Sequence, residues 1–211
     1  MSNGQTQERG RINRVIGERA AIDTKSTESV ANNDRELVDR FRAGEELAFN
    51  EIVRRYQERI FGFVFRLVQD FDDANDLAQE TFIRAYAKLS GFKGESGLYT
   101  WLYRIALNIS INYMRKKRIR SFVSFDGVAG SLASSGGPEQ DLEESELQLR
   151  VDAAIAQLPA RQRSIFVLRF YDQLSHKEIA SIVERSEGNV RAGYFHAVKK
   201  LQHLLRDVAA R

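Results

Sequence analysis

From Leu37 to Leu205 the apolar residues of this chain return every three or four positions, a rhythm that places them on one face of an α-helix and on both faces of a strand. A first stretch with Leu37, Val38 and Phe41 starts at Asp34, a candidate N-cap, and stops near Gly44. A long stripe follows, made of Phe49, Ile52, Val53, Tyr56, Ile60, Val64 and Leu67. Residues 70–73 break that helix and cap a third, which carries Leu77, Phe82, Ala85, Tyr86 and Leu89. After a glycine-bearing loop over residues 92–97, a fourth helix is expected over about 99–118. No strand-like alternation interrupts this half, so an all-α bundle is expected.

The chain then changes character. Between Ser121 and Leu149 there is no Lys or Arg, while Asp126, Glu139, Asp141, Glu143, Glu144 and Glu146 gather around a Ser/Gly-rich stretch ending in Gly136, Gly137 and Pro138. Residues 121–145 are therefore expected to form a flexible acidic linker. It divides the chain into a domain over 34–120 and a domain over 146–211, and with 43% hydrophobic residues among 211, two small cores are favoured over one. Residues 1–33, polar and charged with Gly4, Gly10 and Gly17, are expected to be a disordered tail with room for a transient helix over 12–21.

Helical spacing resumes at Leu147, Val151, Ile155 and Leu158, and Pro159 opens a helix with Ile165, Phe166, Leu168 and Phe170. Ser175 and Glu178 have the capping-box spacing, in which each side chain takes a free backbone N–H of the other residue. A short helix with Ile179, Ile182 and Val183 follows, then a tight break at residues 184–186. The last helix turns Val190, Tyr194, Val198, Leu201 and Leu205 inward. Two helices around so short a break, the second basic, predict a helix-turn-helix.

In that last helix the inward set leaves Asn189, Arg191, Ala192, Phe195, His196 and Lys199 outside, with Ser186 at the N-terminus. Asn and Arg form bidentate bonds to base edges, Lys neutralises phosphate, and free N–H groups at a helix start suit a phosphate oxygen. The bland alternative is a solvated basic face on a helical hairpin.

The fourth helix ends in a second positive cluster, with Arg115, Lys116, Lys117, Arg118 and Arg120 close to Tyr113. Nearby stand Phe92, Lys93, Tyr99, Trp101, Tyr103, Asn108 and Asn112, a mixture of rings and amides that can stack on and hydrogen-bond unpaired bases. Taken singly, Trp101 reads as core; taken together, the cluster points to single-stranded nucleic acid. The third helix shows a polar face of Asp76, Gln79, Glu80 and Arg84, which by itself reads only as solvated.

Several function classes fall away. There is no cysteine, hence no disulfide, thiolate metal site or cysteine nucleophile. His176, His196 and His203 have no partners at metal-ligand spacing, and no phosphate loop, dinucleotide fingerprint or nucleophile elbow occurs. No apolar run approaches a membrane span or a signal peptide. The net charge of +3 and pI near 9.2 fit a polyanionic partner without demanding one. A non-enzymatic cytoplasmic protein without cofactor or small-molecule substrate is expected.

Three stretches carry a resemblance: Asp76-Leu-Ala-Gln-Glu-Thr-Phe-Ile-Arg-Ala-Tyr86, Phe92-Lys-Gly-Glu-Ser-Gly-Leu-Tyr-Thr-Trp-Leu-Tyr-Arg-Ile-Ala-Leu-Asn108 and Leu158-Pro-Ala-Arg-Gln-Arg163. They resemble the extracytoplasmic-function sigma factors, over a span from Asp34 to Leu205. The resemblance implies that Asp76, Gln79, Glu80 and Arg84 dock on the clamp helices of the β′ subunit of core RNA polymerase. It implies that Lys93, Tyr99, Asn108, Asn112, Arg115 and Lys116 serve capture of flipped bases in the minus-ten element of promoter DNA. Ser186, Asn189, Arg191, Ala192, Phe195, His196 and Lys199 then read the minus-thirty-five element, with the polymerase β flap beside them. The acidic linker threads the polymerase cleft, and an anti-sigma factor, soluble or membrane-anchored, is an implied partner. Two positions depart from the family pattern. Glu184 stands where Gly is common, at a cost of about 1 kcal/mol if that residue is left-handed. Gly193 lies within the recognition helix, at about 1 kcal/mol of helix propensity. A helix-turn-helix response regulator is the rival reading, and it requires an α/β receiver domain in place of the helical first half.

Overall fold

A computed structural model describes residues 25–123 and 142–206, and every described element is a helix. In chain order these are α1 (Lys25–Arg42), α2 (Leu47–Val68), α3 (Phe71–Leu89), α4 (Leu98–Val123), α5 (Leu142–Ala156), α6 (Ala160–Phe170), α7 (His176–Val183) and α8 (Glu187–Leu204). The expected tail before residue 25 and the middle of the expected linker, 124–141, lie outside the described residues.

Two boundaries differ from the sequence expectation. The first helix begins at Lys25, nine residues before Asp34, so Asp34 is no N-cap. It lies within α1, 5% exposed, because α2 supplies a better partner than a free N–H group: the Tyr56 hydroxyl donates to Oδ2 at 2.5 Å and Arg55 Nη1 donates to Oδ1 at 2.6 Å. The acidic linker is also shorter than its composition suggested, since α4 continues to Val123 and α5 starts at Leu142. Replacing Asp34 with Ala strands the Tyr56 hydroxyl in the core and leaves Arg55, which is partly exposed, with Asn33 as its remaining partner. The expected loss is about 2–3 kcal/mol, read as a lower urea midpoint at constant slope, whereas a change under 0.5 kcal/mol would make the contact incidental.

The expected stripes form the interior. Leu37, Phe49, Ile52, Tyr56, Ile60, Phe63, Val64 and Leu67 pack against Ala74, Ala78, Phe82, Ala85 and Leu89 of α3 and against Leu98, Leu102, Tyr103, Ala106 and Leu107 of α4. At the start of α3, Asp70 caps with its carboxylate on the Asp73 N–H at 3.0 Å. The apolar interior does not stop at the linker, as two separate cores would require. Ile165, Val167 and Leu168 of α6, Leu174, Ile179 and Ile182 around α7, and Val190 of α8 belong to the same buried cluster as the first four helices. A smaller cluster joins Val151, Ala154, Ile155 and Leu158 to Phe166, Ala197, Leu201 and Leu205.

Candidate nucleic-acid and protein interfaces

On α3 the buried positions Ala74, Ala78, Thr81, Phe82, Ala85 and Leu89 commit one side to the core. The opposite side holds Asp76, Gln79 and Arg84 in solvent and Glu80 half-buried, with Glu80 Oε1 accepting from Arg84 Nε at 2.7 Å. Sequence reasoning missed the residue in their midst. Ile83 follows Gln79 by four positions and Asp76 by seven, so it shares their face, and it is 63% exposed. Tyr86, 42% exposed, borders it while its ring meets Phe41 and Phe49 edge-on. The signal was an apolar residue out of register with the core stripe. An exposed isoleucine ringed by carboxylates and an amide has the composition of an apolar patch with a polar rim.

The loop before α4 is held from α1: Arg42 donates to the carbonyls of Ser90 and Phe92. Gly94, at φ 73°, makes the left-handed turn. Lys93 is exposed, but Phe92 is buried and its ring meets Trp101 with centroids 5.1 Å apart. Tyr99 faces inward, contrary to the expectation of base contact. Its ring lies 4.3 Å from Tyr103, 6.2 Å from Tyr56 and 6.0 Å from the Arg59 guanidinium, and burial pushes its hydroxyl pKa up. The ring is spent on packing against Tyr56 and Arg59 of α2 and Tyr103 of α4. Tyr103 is wholly buried.

Further along α4, Asn108 and Asn112 are exposed one turn apart, as their spacing requires. Asn108 borders a cleft that it shares with Leu107 and Ile111 on one wall and Arg161, Ile165, Val183 and Arg185 on the other. Arg115 Nη2 donates to Asn112 Oδ1 at 3.3 Å, and Lys116 is exposed. Lys117 is tied instead to Asp73 at 2.8 Å. Burial pushes the Asp73 carboxyl up, yet hydrogen bonds from Lys117 and Tyr113 outweigh it and hold the group below the usual carboxylate range.

The helix-turn-helix is built as its sequence predicts. Ser175 N donates to Glu178 Oε2 at 2.8 Å and Glu178 N to Ser175 Oγ at 3.2 Å, closing the capping box of α7. Glu184 ends α7 in the left-handed region, φ 54° and ψ 51°, and Ser186 caps α8 by accepting from the Asn189 N–H at 3.3 Å. Val190, Ala197 and Leu201 face in, while Asn189, Arg191, Ala192, Phe195, His196 and Lys199 all face solvent. Phe195 is 63% exposed and meets His196 edge-on, an apolar surface where none is needed for folding. Arg191 is pre-positioned by Glu187, with Nη2 2.5 Å from Oε1. The structure also gives Gly193 a reason: a Cβ there would lie 2.8 Å from Ile165 Cδ1, so the missing side chain lets α8 close on α6.

Comparison with known proteins meets this geometry from three sides. Residues 52–119 match the family model of sigma-70 region 2, and residues 148–201 match that of sigma-70 region 4. The RNA polymerase sigma-H factor of Pseudomonas aeruginosa is 37% identical over 187 residues, which cover 82% of this chain and 96% of the relative. The ECF RNA polymerase sigma-E factor of Escherichia coli K12 is 38% identical over 185 residues, with the same coverage of 82% and 96%. Among solved structures, the sigma factor RpoE of Bartonella quintana, in complex with the anti-sigma factor NepR, superposes with a TM-score of 0.60 at 26% identity, covering 75% of this chain and 96% of that one. CnrH, in complex with the cytosolic domain of CnrY, shares the fold with a TM-score of 0.64 at 24% identity over 83% of this chain and 98% of that one. With both regions present in order, and relatives this similar along almost their whole length, the chain belongs to the sigma-70 family as a factor of the extracytoplasmic-function group.

Proposed function

We propose that this sigma factor divides promoter-directed initiation among three faces: the outer side of α3 for the β′ clamp helices of core RNA polymerase, the Asn108–Asn112 side of α4 for the opened minus-ten element, and the outer side of α8 for the minus-thirty-five element. The observation that carries the reading is the pairing, in one chain, of exposed amides beside a basic helix end with a capped helix-turn-helix whose outward residues are all solvent-facing. The first arrangement suits unpaired bases and the second suits a major groove. Neither alone distinguishes a sigma factor from a regulator that binds closed duplex.

On this reading Asp76, Gln79, Glu80, Ile83 and Arg84 bind polymerase. Lys93, Asn108, Asn112, Arg115 and Lys116 hold the minus-ten strand, and Tyr99 supports them from within. Ser186, Asn189, Arg191, Ala192, Phe195, His196 and Lys199 lie in the upstream groove, near the β flap. The acidic segment between the halves passes through the polymerase cleft, where its charge mimics RNA. Opening of the duplex then follows from tighter binding of the open form, and bond-making belongs to the polymerase. The site of action is the cytoplasm, and an anti-sigma factor is the regulatory partner; no described helix is long and apolar enough to cross a membrane.

The test is reconstitution. Added to core polymerase on a library of promoter fragments, the chain is expected to yield discrete run-off transcripts that neither component yields alone. Failure to bind core polymerase, with intact duplex binding, would return it to the class of helix-turn-helix regulators.

A further inference from the structure

An aromatic cluster on α2 and α3 belongs to none of the three faces. Phe61 and Phe65 stand one turn apart on α2, off its buried stripe, and Phe71 opens α3. The Phe61 ring stacks on Phe65 with centroids 6.0 Å apart and meets Phe71 edge-on at 5.4 Å. Phe65 is 39% exposed and Phe71 65%, so the rings form one apolar surface open to solvent. Anions rim it. Glu58, one turn before Phe61, and Asp72 beside Phe71 are both exposed and have no ion-pair partner among the described residues. Asp70, by contrast, spends its carboxylate on the Asp73 N–H, and Asp73 is held by Lys117. Arg54 stands two turns before Phe61 on the same side, whereas Arg66 turns away to the Tyr171 ring. An apolar centre with an acidic rim selects an apolar, cationic partner.

The chain supplies such a partner at that place. α1 and α2 run antiparallel, with Asp34 meeting Tyr56 and Arg40 meeting Glu51. In that register Lys25, the first residue of α1, lies about 13 Å along the helix from Asp34, level with the α2 residue about nine beyond Tyr56. That is the level of Phe65. Around α2, Phe65 stands about 80° from Arg55, the residue that faces α1. Residues 1–24 therefore join the described structure beside the patch. Among them Ile12, Val15 and Ile16 recur at steps of three and four, and Arg9, Arg11, Arg14 and Arg19 outnumber Glu18 between positions 9 and 22. From Lys25 back to Ile16 the chain spans about 13 Å as a helix and about 30 Å extended, enough in either form to cover the rings.

We propose that the segment 9–22 docks on this patch, with Ile12, Val15 and Ile16 against Phe61, Phe65 and Phe71 and with Arg11 and Arg14 toward Glu58 and Asp72. A segment this short, containing Gly10 and Gly17, is marginal as a free helix, so its order comes from the rings. The tether supplies the rest. Attachment beside the patch gives an effective concentration of about 1 mM, so a contact too weak to hold a free peptide at micromolar concentration is substantially occupied within the chain. Docking also covers aromatic surface that otherwise favours association between molecules. The contact does not depend on the assignment of the promoter and polymerase faces.

Amide hydrogen exchange on the full chain tests the contact. The amides of residues 11–20 are expected to exchange about threefold or more slowly than in the double variant Phe65→Ser with Phe71→Ser, while core amides of α2 and α3 are unchanged because both positions are exposed. Arg11→Glu with Arg14→Glu is expected to lose the same protection, and added salt to reduce it in the unmodified chain. Equal exchange of this segment in the unmodified chain and the Phe65/Phe71 variant overturns the proposal. Protection that grows with protein concentration gives the patch to the segment of a second copy and overturns docking within one chain. Weaker binding of core polymerase by the Phe65/Phe71 variant, with exchange of residues 11–20 unaltered, gives the patch to polymerase and overturns it as well. Exchange is read on the chain alone, so failure of the promoter assignment leaves this result distinguishable.

Discussion

Lysine at both Asp76 and Glu80 is expected to lower affinity for core RNA polymerase by two orders of magnitude or more, with the thermal midpoint shifted by only a few degrees. Asp76 is exposed, and the Glu80–Arg84 pair on the surface of α3 is of the kind that contributes about 1 kcal/mol or less to folding. Binding is a different matter. Two reversed charges convert a complementary face into a repulsive one, which costs several kcal/mol across an interface, and about 1.4 kcal/mol is tenfold. Ile83→Ala separates the charge effect from the apolar one: removing an anchor at the centre of such a patch is expected to cost about 1–2 kcal/mol at any salt concentration. The double reversal should instead be most damaging at low ionic strength, where screening is weakest. Fluorescence anisotropy of labelled chain titrated with core polymerase measures all three. Unchanged affinity in the Lys double variant would remove α3 from the polymerase interface.

What the sequence made legible was periodic. The stripes that became α2, α3, α6 and α8 were readable because each buries residues at steps of three and four, and the caps at Asp70 and Ser175 because a short polar side chain before such a stripe has an efficient use in taking a free N–H. Asp34 misled for the same reason: it has the chemistry of a cap, but its partners Arg55 and Tyr56 lie more than twenty residues away. Tyr99 misled in the reverse direction, since a ring beside amides and lysines has the same composition whether it stacks on a base or on Tyr103. Glu184 was legible as a strained position but not as an ion-pair partner of Arg104, and Gly193 as a weak helix residue but not as the place where α8 meets Ile165. In each case the missing information is tertiary. The contacts between halves are of that kind: an apolar cluster shared by both halves, with arginines and a buried aspartate at its edge that a hydrophobic pattern treats as surface.

On the proposed reading, the amides on α4 are where melting is decided. Asn108 and Asn112 are exposed on one face, with Arg115 already leaning on Asn112 and Lys116 beyond. An amide aimed at the Watson–Crick edge of an extruded base makes bonds that exist only once the base has left the stack. Its free energy therefore adds wholly to the open side of the equilibrium. A bidentate contact of this sort amounts to about 1–3 kcal/mol, so Asn108→Ala is expected to lower the open-to-closed ratio on a duplex promoter by roughly 5- to 150-fold. On a template already mismatched across the minus-ten element the duplex has no opening left to drive, and initiation should be largely restored. Arg115 and Lys116 act differently, because phosphate contacts are the same before and after sequence is read. Neutralising both should weaken binding to every single strand alike and flatten the slope of log affinity against log salt by about 1.4. Permanganate reactivity of unpaired thymines, measured on duplex promoter with the holoenzyme, separates the two classes of residue. Normal reactivity with the Asn108→Ala protein would make this asparagine a surface residue of α4, and the base-reading role would pass to Asn112 or to the loop at Lys93.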